Sequence, residues 1–292
     1  MRSLAYIDVF TPKNLEEALE ILDKQSDRIR VLAGGTDLIL QLRRAKQSRE
    51  NLLNIYSLDE LRYIKFENGL VKIGALTDFM TITQSPIIQK YAPILAEAAQ
   101  TIGSIQILNK ASIGGNIVNA SPAADSLPAL YVLEASLTLR KKNSSRQTSI
   151  LDFYRGYKLL DLQPGELLVE ISFKPMRENQ VGMFFKHGLR QGDAISVVNG
   201  AVLLEIEPAS HIVRDARIAL GAVAPTVVRA HQAEQYLEGR NLDEKTIKQA
   251  SEYIVTSISP IDDVRGSAAY RTEMCKNYVF MTLWKIAEML GR

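Results

Sequence analysis

The sequence predicts an α+β protein, and three observations carry that reading. Near the N-terminus, short apolar runs alternate with helical spacings. After Pro175, three strand-like runs follow one another with only polar turns between them. From Arg229 onward the pattern is helical.

Thr11-Pro12-Lys13-Asn14 ends an opening extended segment. Asn14 and Glu17 stand at capping-box spacing. Leu15, Ala18, Leu19 and Leu22 share one helical face, so the spacing predicts a helix ending near Lys24. Residues 29–33 form an apolar run read as a buried strand, followed at once by Gly34-Gly35-Thr36-Asp37. A second helix starts there, with Leu38, Leu42 and Ala45 on one side, and 52–55 is another strand. This alternation predicts a small parallel or mixed sheet. Ser57 and Glu60 repeat the capping-box spacing before a short helix. Val71, Ile73 and Ala75 alternate in a strand over 70–75, and Thr77 is placed to cap the next helix. Ile94, Leu95, Ala98 and Ile102 predict a helix over 91–102, with Gly103 as its C-terminal glycine. Residues 108–125 are rich in small residues and show little periodicity. Strands are expected at 136–140 and 167–173.

Residues 183–186, 195–206 and 213–220 read as a three-stranded antiparallel meander. Helices are expected at 229–237, 243–255 and 267–290. The change of character over 174–180 divides the chain into 1–176, with sub-lobes of about 1–57 and 58–176, and 177–292.

Composition narrows the function. A net charge of +2 gives no field pointing to nucleic acid. The basic clusters Arg43-Arg44-Ala45-Lys46 and Arg140-Lys141-Lys142 flank apolar segments and read as solvated faces. No apolar run is long enough to span a membrane, and the start, which carries Asp8, does not resemble a signal peptide. Cytoplasm is the expected address. One cysteine, Cys275, cannot form an internal disulfide or ligate an iron–sulfur cluster within the chain. His187, His211 and His231 have no ligand-like spacing, so no metal is expected.

Two glycine pairs carry the chemistry. Leu32-Ala33-Gly34-Gly35-Thr36-Asp37-Leu38 lies between a strand and a helix. Glycine lets the chain turn sharply and lets a ligand approach main-chain N–H groups, which at a helix start favour a phosphate. A tight turn capped by Thr36 or Asp37 is the simpler alternative, and the motif is neither a dinucleotide fingerprint nor a Walker loop. The second pair lies within Ala111-Ser112-Ile113-Gly114-Gly115-Asn116-Ile117-Val118-Asn119-Ala120-Ser121-Pro122-Ala123-Ala124-Asp125. Its apolar residues tie it to the core, so its polar groups need partners. A ligand rich in hydrogen-bonding groups supplies them; an internally satisfied loop is the alternative. Physical reasoning reaches a dinucleotide-like cofactor without a standard Rossmann site.

These segments resemble the signatures of the FAD-binding subunits of the xanthine dehydrogenase and carbon monoxide dehydrogenase family. The family pattern is A-G-G-T-D-L, followed further on by A-S/T-x-G-G-N-I/L-x-x-A-S-P-x-x-D. Ala33 to Leu38 matches the first and Ala111 to Asp125 the second. Ile73-Gly74-Ala75-Leu76-Thr77, Phe185-Lys186-His187-Gly188-Leu189-Arg190 and Gly221-Ala222-Val223-Ala224-Pro225-Thr226 resemble further family segments, so the likeness runs over nearly the whole chain. It implies FAD as cofactor. It also implies a fold: a vanillyl-alcohol-oxidase-like FAD domain, made of a small α/β lobe and a larger mixed α+β lobe, then a three-stranded antiparallel sheet with a helical bundle. Carried over by residue, Val31, Leu32, Ala33, Gly34, Gly35, Thr36, Asp37 and Leu38 wrap the FAD diphosphate. Ala75 sits beside the cofactor, and Ile102, Gly103, Ile107, Ala111 and Ser112 pack along it. Gly115 and Asn116, with Gly114 next to them, lie under the flavin and ribityl region. Ala124 and Asp125 meet the adenosine portion, with Asp125 accepting from ribose hydroxyls. Leu168 touches the adenine or ring edge, and Lys186 reaches the flavin's polar edge. Some relatives carry serine at position 124, so one side-chain hydrogen bond, worth roughly 1 kcal/mol, is absent.

The resemblance implies partners as well: a molybdopterin-binding large subunit and a small subunit with 2Fe–2S clusters, in a dimer of heterotrimers. Electrons reach FAD and pass to NAD⁺ or another acceptor. No catalytic acid or base is then required of this chain. The cysteine-rich insertion of the hydroxybenzoyl-CoA reductase flavin subunit is missing. Two rivals stand beside this reading. One is a self-sufficient FAD oxidoreductase with Tyr154, Tyr157 or His187 as base. The other is a nucleotide-binding module with no redox role.

Overall fold

The computed structural model describes residues 7–25, 28–44 and 51–291. Its first unit is an all-parallel sheet in the spatial order Val9–Phe10, Asn51–Asn54, Ile29–Leu32. Parallel neighbours need crossovers, and the helices Leu15–Gln25 and Leu38–Arg44 supply them. Leu15, Ala18, Leu19 and Leu22 are the buried face of the first helix, as their spacing requires. Asn14 accepts the Glu17 N–H at 2.9 Å, while Glu17 reaches back to the Lys13 N–H at 2.7 Å, so the capping box is displaced by one residue. Ala45 and Lys46 lie outside the described residues.

Two other capping expectations are corrected. Residues Asp59–Leu61 form only a 3₁₀ turn, and Glu60 accepts the Leu15 N–H at 2.7 Å, not a group of its own turn. Asp78, not Thr77, caps helix Phe79–Gln84, because the Thr77 hydroxyl is held by the main chain of Tyr63. The expected helix over 91–102 is instead Pro86–Tyr91 and Pro93–Gln100, since each proline ends the preceding helix and opens the next.

The second unit is a five-stranded antiparallel sheet: Ile64–Glu67, Leu70–Gly74, Leu167–Phe173, Ser136–Lys141, Ser144–Ser149. The strands at either edge were not foreseen. Ser144–Ser149 is wholly polar and half exposed, so it carries no alternation to read. The middle strand, Leu167–Phe173, is buried almost throughout, as a strand covered on both faces must be. The hairpin Tyr154–Gly156 and Leu159–Leu160 stands apart from this sheet.

The C-terminal sheet has four strands, not three: Gln180–Gly188, Ser196–Ile206, Val213–Gly221 and the two-residue edge Val228–Arg229. Along Ser196–Ile206, Ala201 and Leu203 face the large central core, and Val198, Val202, Leu204 and Ile206 face a second core. That second core is roofed by helices His231–Leu237, Glu244–Tyr253 and Ala268–Met289. A third, smaller core lies under the parallel sheet and is completed by Leu76, Leu167 and Val169. No described helix is long and apolar enough to cross a membrane.

Candidate functional site

The two glycine motifs meet backbone to backbone. A Cβ on Gly34 would stand 1.7 Å from the Lys110 carbonyl oxygen, so only glycine allows the first turn to touch the strand-like entrance of the second motif. Gly35 supplies the turn itself, with φ +72°. In the second motif, residues Ile113–Asn119 form a helix, which corrects the expectation of an aperiodic segment. Ser112 caps it by accepting the Gly115 N–H at 3.2 Å. A Cβ on Gly114 would lie 2.7 Å from Ala75, and the Gly114 N–H donates to the Ala75 carbonyl at 2.9 Å. Gly115 differs. Apart from its own cap Ser112, the nearest atom its Cβ would meet is Ala33 Cβ at 3.9 Å, so its open side faces a cleft.

That cleft has a volume of about 470 Å³, within the range of about 300–1,000 Å³ usual for cofactor sites. Of the residues singled out in the sequence, Val31, Ala33, Gly34, Gly35, Thr36, Asp37, Leu38, Ala75, Ala111, Ser112, Gly114, Gly115, Asn116 and Leu168 line it. Leu32 sits one layer behind, its carbonyl accepting from the Ile55 N–H at 3.0 Å. Ile102, Gly103, Ile107, Ala124, Asp125 and Lys186 are not among the lining residues. Ile102 is buried in the central core, and Ile107 packs beneath Gly103, which has φ +59°. Lys186 Nζ donates to Asp125 Oδ2 at 2.6 Å and to the Thr101 carbonyl at 2.7 Å. Asp125 Oδ1 also accepts from Ser196 Oγ at 2.5 Å and Asn199 Nδ2 at 2.7 Å.

Sequence reasoning missed one whole wall. Gln163, Pro164, Gly165, Glu166 and Leu167 line the cleft together with the first glycine turn. The Pro164-Gly165 pair was a readable turn signal ahead of a strand. Arg146 holds this wall from behind: its guanidinium donates to Glu166 at 2.7 and 2.9 Å and to Asp161 at 2.8 Å. Burial alone would raise the Glu166 carboxyl. The Arg146 hydrogen bonds and the Gln163 N–H outweigh it and hold Glu166 below the usual carboxylate range. Gln41, one helical turn after Asp37, was also missed. It bridges Asp37, Arg30 Nη2 (2.9 Å) and Asn119 (3.1 Å) across the cleft.

The main-chain N–H groups of Gly34, Gly35, Thr36 and Asp37 find no acceptor among the described residues. Gly34, Gly35 and Thr36 are half-buried and Asp37 is exposed, and consecutive main-chain N–H groups without internal acceptors form a cradle for a multiply charged anion. The donor set therefore fits a diphosphate, and the glycine-floored cleft beyond it fits a flat ring system. None of Tyr154, Tyr157 and His187 lines the cleft. Tyr154 donates to the Ile117 carbonyl at 2.9 Å, and burial pushes its hydroxyl well above the ordinary tyrosine value. No group of three or more possible metal ligands occurs among the described residues.

Comparison with known proteins agrees with this geometry. The family described as "FAD binding domain in molybdopterin dehydrogenase" matches residues 5–174, and "CO dehydrogenase flavoprotein C-terminal domain" matches 183–286. The glyceraldehyde dehydrogenase medium chain of Sulfolobus acidocaldarius is 34% identical over 90% of this chain and 92% of its own length. The carbon monoxide dehydrogenase medium chain of Hydrogenophaga pseudoflava is 32% identical over 92% of each chain. A solved carbon monoxide dehydrogenase from the same organism superposes with a TM-score of 0.90 at 30% identity, covering 94% of this chain and 95% of that one. Quinoline 2-oxidoreductase from Pseudomonas putida 86 gives a TM-score of 0.90 at 26% identity over 98% of both chains. With both motifs matched in sequence and joined in space, the chain belongs to the family of FAD-binding medium subunits of the xanthine dehydrogenase and carbon monoxide dehydrogenase enzymes, and FAD is its cofactor.

Proposed function

We propose that this chain is the electron-transfer subunit of a molybdenum hydroxylase, receiving electrons from the 2Fe–2S clusters of a small partner subunit and handing them to NAD⁺ or another acceptor. The molybdopterin-binding large subunit then carries the substrate, and the assembly is a dimer of heterotrimers. Bound FAD supplies the redox chemistry, and this chain supplies position and surroundings. The N–H groups of Gly34 to Asp37 hold the diphosphate. Gly115 leaves room for a ring, with Asn116 beside it as a polar contact, and Val31, Leu38 and Leu168 supply apolar walls. The resemblance assigns Lys186 to the flavin's polar edge and Asp125 to the ribose; in the fold the two form one ion pair and neither lines the cleft. The FAD-binding domain is 1–176 and the C-terminal domain 177–292.

The run of bare N–H groups beside a glycine-floored cleft carries this reading. The absence of Tyr154, Tyr157 and His187 from the cleft wall weighs against a self-sufficient oxidoreductase. The test is the visible spectrum of the purified chain after incubation with FAD, followed by anaerobic addition of NADH and then dithionite. Oxidised-flavin bands at about one FAD per chain, bleached by NADH, are the expected result. Gly115→Phe is expected to abolish them. A chain that retains no FAD overturns the flavin site, and one reduced by dithionite but not NADH overturns the choice of NAD⁺.

A further inference from the structure

Asn199 lies in the mostly apolar strand Ser196–Ile206, at 0% exposure. A buried amide is costly there unless its hydrogen bonds are made. Its Nδ2 donates to Asp125 Oδ1 at 2.7 Å, but its Oδ1 has no partner. Half of this side chain is therefore used, and that half points at one carboxylate. Ser196, also at 0% exposure, donates to the same oxygen at 2.5 Å. Lys186 donates to the other oxygen at 2.6 Å. Three donors from the C-terminal sheet thus converge on one side chain of the second glycine motif. The main chain is stitched there as well, by the Ala222 N–H donating to the Pro122 carbonyl at 2.8 Å.

The next residue carries the effect to the cleft. The fully buried Ser126 donates its hydroxyl to Asn116 Oδ1 at 2.6 Å. The oxygen is occupied, and the NH₂ end, with no partner among the described residues, is left for the cleft that Asn116 lines.

We infer that Ser196 and Asn199 are positioning residues of the FAD site: from the C-terminal sheet they clamp Asp125, and through Ser126 they aim the amide of Asn116. Neither touches the cleft. Their contribution is orientation, which raises affinity by removing alternatives before the cofactor arrives. This rests on the FAD reading above.

The test uses the full chain and FAD titrated by quenching of flavin fluorescence. Ser196→Ala is expected to raise the Kd about tenfold, the equivalent of one hydrogen bond to a charged group. Asn199→Leu is expected to do the same while leaving the apo Tm unchanged or higher, because it removes the unpartnered oxygen. Ser196→Thr keeps the hydroxyl and is expected to restore binding. In an Asp125→Ala background, Ser196→Ala is expected to change nothing further. Hydrogen exchange on the FAD-free chain is the second readout: Ser196→Ala should speed exchange over 113–126 and leave the parallel sheet unchanged. Wild-type affinity in Ser196→Ala, or an equal loss with and without Asp125, overturns the inference. If the wild-type chain binds no FAD, the function above fails, and the exchange experiment alone decides: local loosening at 113–126 upholds the positioning, and its absence overturns it.

Discussion

At the scale of single residues, the four motif glycines do three different jobs. Gly34 and Gly114 let two backbones touch, Gly35 adopts a positive φ, and Gly115 faces the cleft. The glycine pairs were plain in the sequence. Their division of labour was not, because it depends on Lys110 and Ala75, which approach only in the fold. Gly34→Ala and Gly115→Ala should therefore differ. The first forces a methyl into a carbonyl oxygen and is expected to cost about 3 kcal/mol of stability in the FAD-free chain, read in chemical denaturation. The second pushes mainly on the Ser112 hydroxyl and is expected to cost about 1 kcal/mol or less, while weakening FAD binding more than stability. Equal losses of stability would sink the distinction.

Among elements, the Ile113–Asn119 helix shows what sequence patterning could not deliver. Seven residues with two glycines make a poor helix by propensity, since each glycine costs up to about 1 kcal/mol. Only Ile113 and Ile117 mark its buried face, too few to stand out as a period. Tertiary contact and the Ser112 cap hold it. By contrast, Leu15–Gln25 was legible because its apolar stripe is complete. The 163–167 wall carried a turn signal in Pro164-Gly165 but nothing that marked it as part of the site, since Arg146 reaches it from a different strand. Glu166 titrates lower when folded than when unfolded, so its pairing stabilises fully above its unfolded value of 4.5 and is lost as pH falls through the lower folded value. Arg146→Met is expected to destabilise the chain by about 2 kcal/mol at neutral pH. The gap from wild type should shrink as pH falls below about 4. Thermal melts across that range decide it, and a gap that stays constant with pH would show that Arg146 acts by packing alone.

For the whole molecule, the C-terminal sheet is shared property. Its long middle strand feeds two cores at once, and Lys186, Ser196 and Asn199 reach across to Asp125. The change of character near Pro175 was visible in the sequence. The contact across it was not, because a near-continuous apolar run reports that both faces of a strand are buried without naming what covers them. The fully buried Arg271 ties the last helix to this sheet, donating to the Val197 carbonyl at 2.6 Å, the Ala222 carbonyl at 3.1 Å and Asp263 at 2.7 Å. The hydrogen bonds of Arg265 and Arg271 hold the Asp263 carboxyl far below the usual range. Arg271→Met is expected to cost about 3–5 kcal/mol, since it leaves buried acceptors unmet. The single tryptophan, Trp284, lies on that helix and reports on its unfolding, while released flavin reports on the cleft. With the sheet common to both, the two signals should move together in urea for wild type and variant alike. Separate transitions would mean that the halves unfold independently.

The small core under the parallel sheet closes only when Leu167 and Val169 arrive, although its own strands end at Asn54. A ribosome must therefore add more than a hundred residues between the last strand of that sheet and the side chains that seal it. At ordinary rates of synthesis this is a wait on the order of ten seconds. Throughout it, the first glycine turn is attached to a lobe that cannot shut. Cofactor loading is expected to wait until the later strand has emerged, which would make the order of synthesis part of the order of assembly.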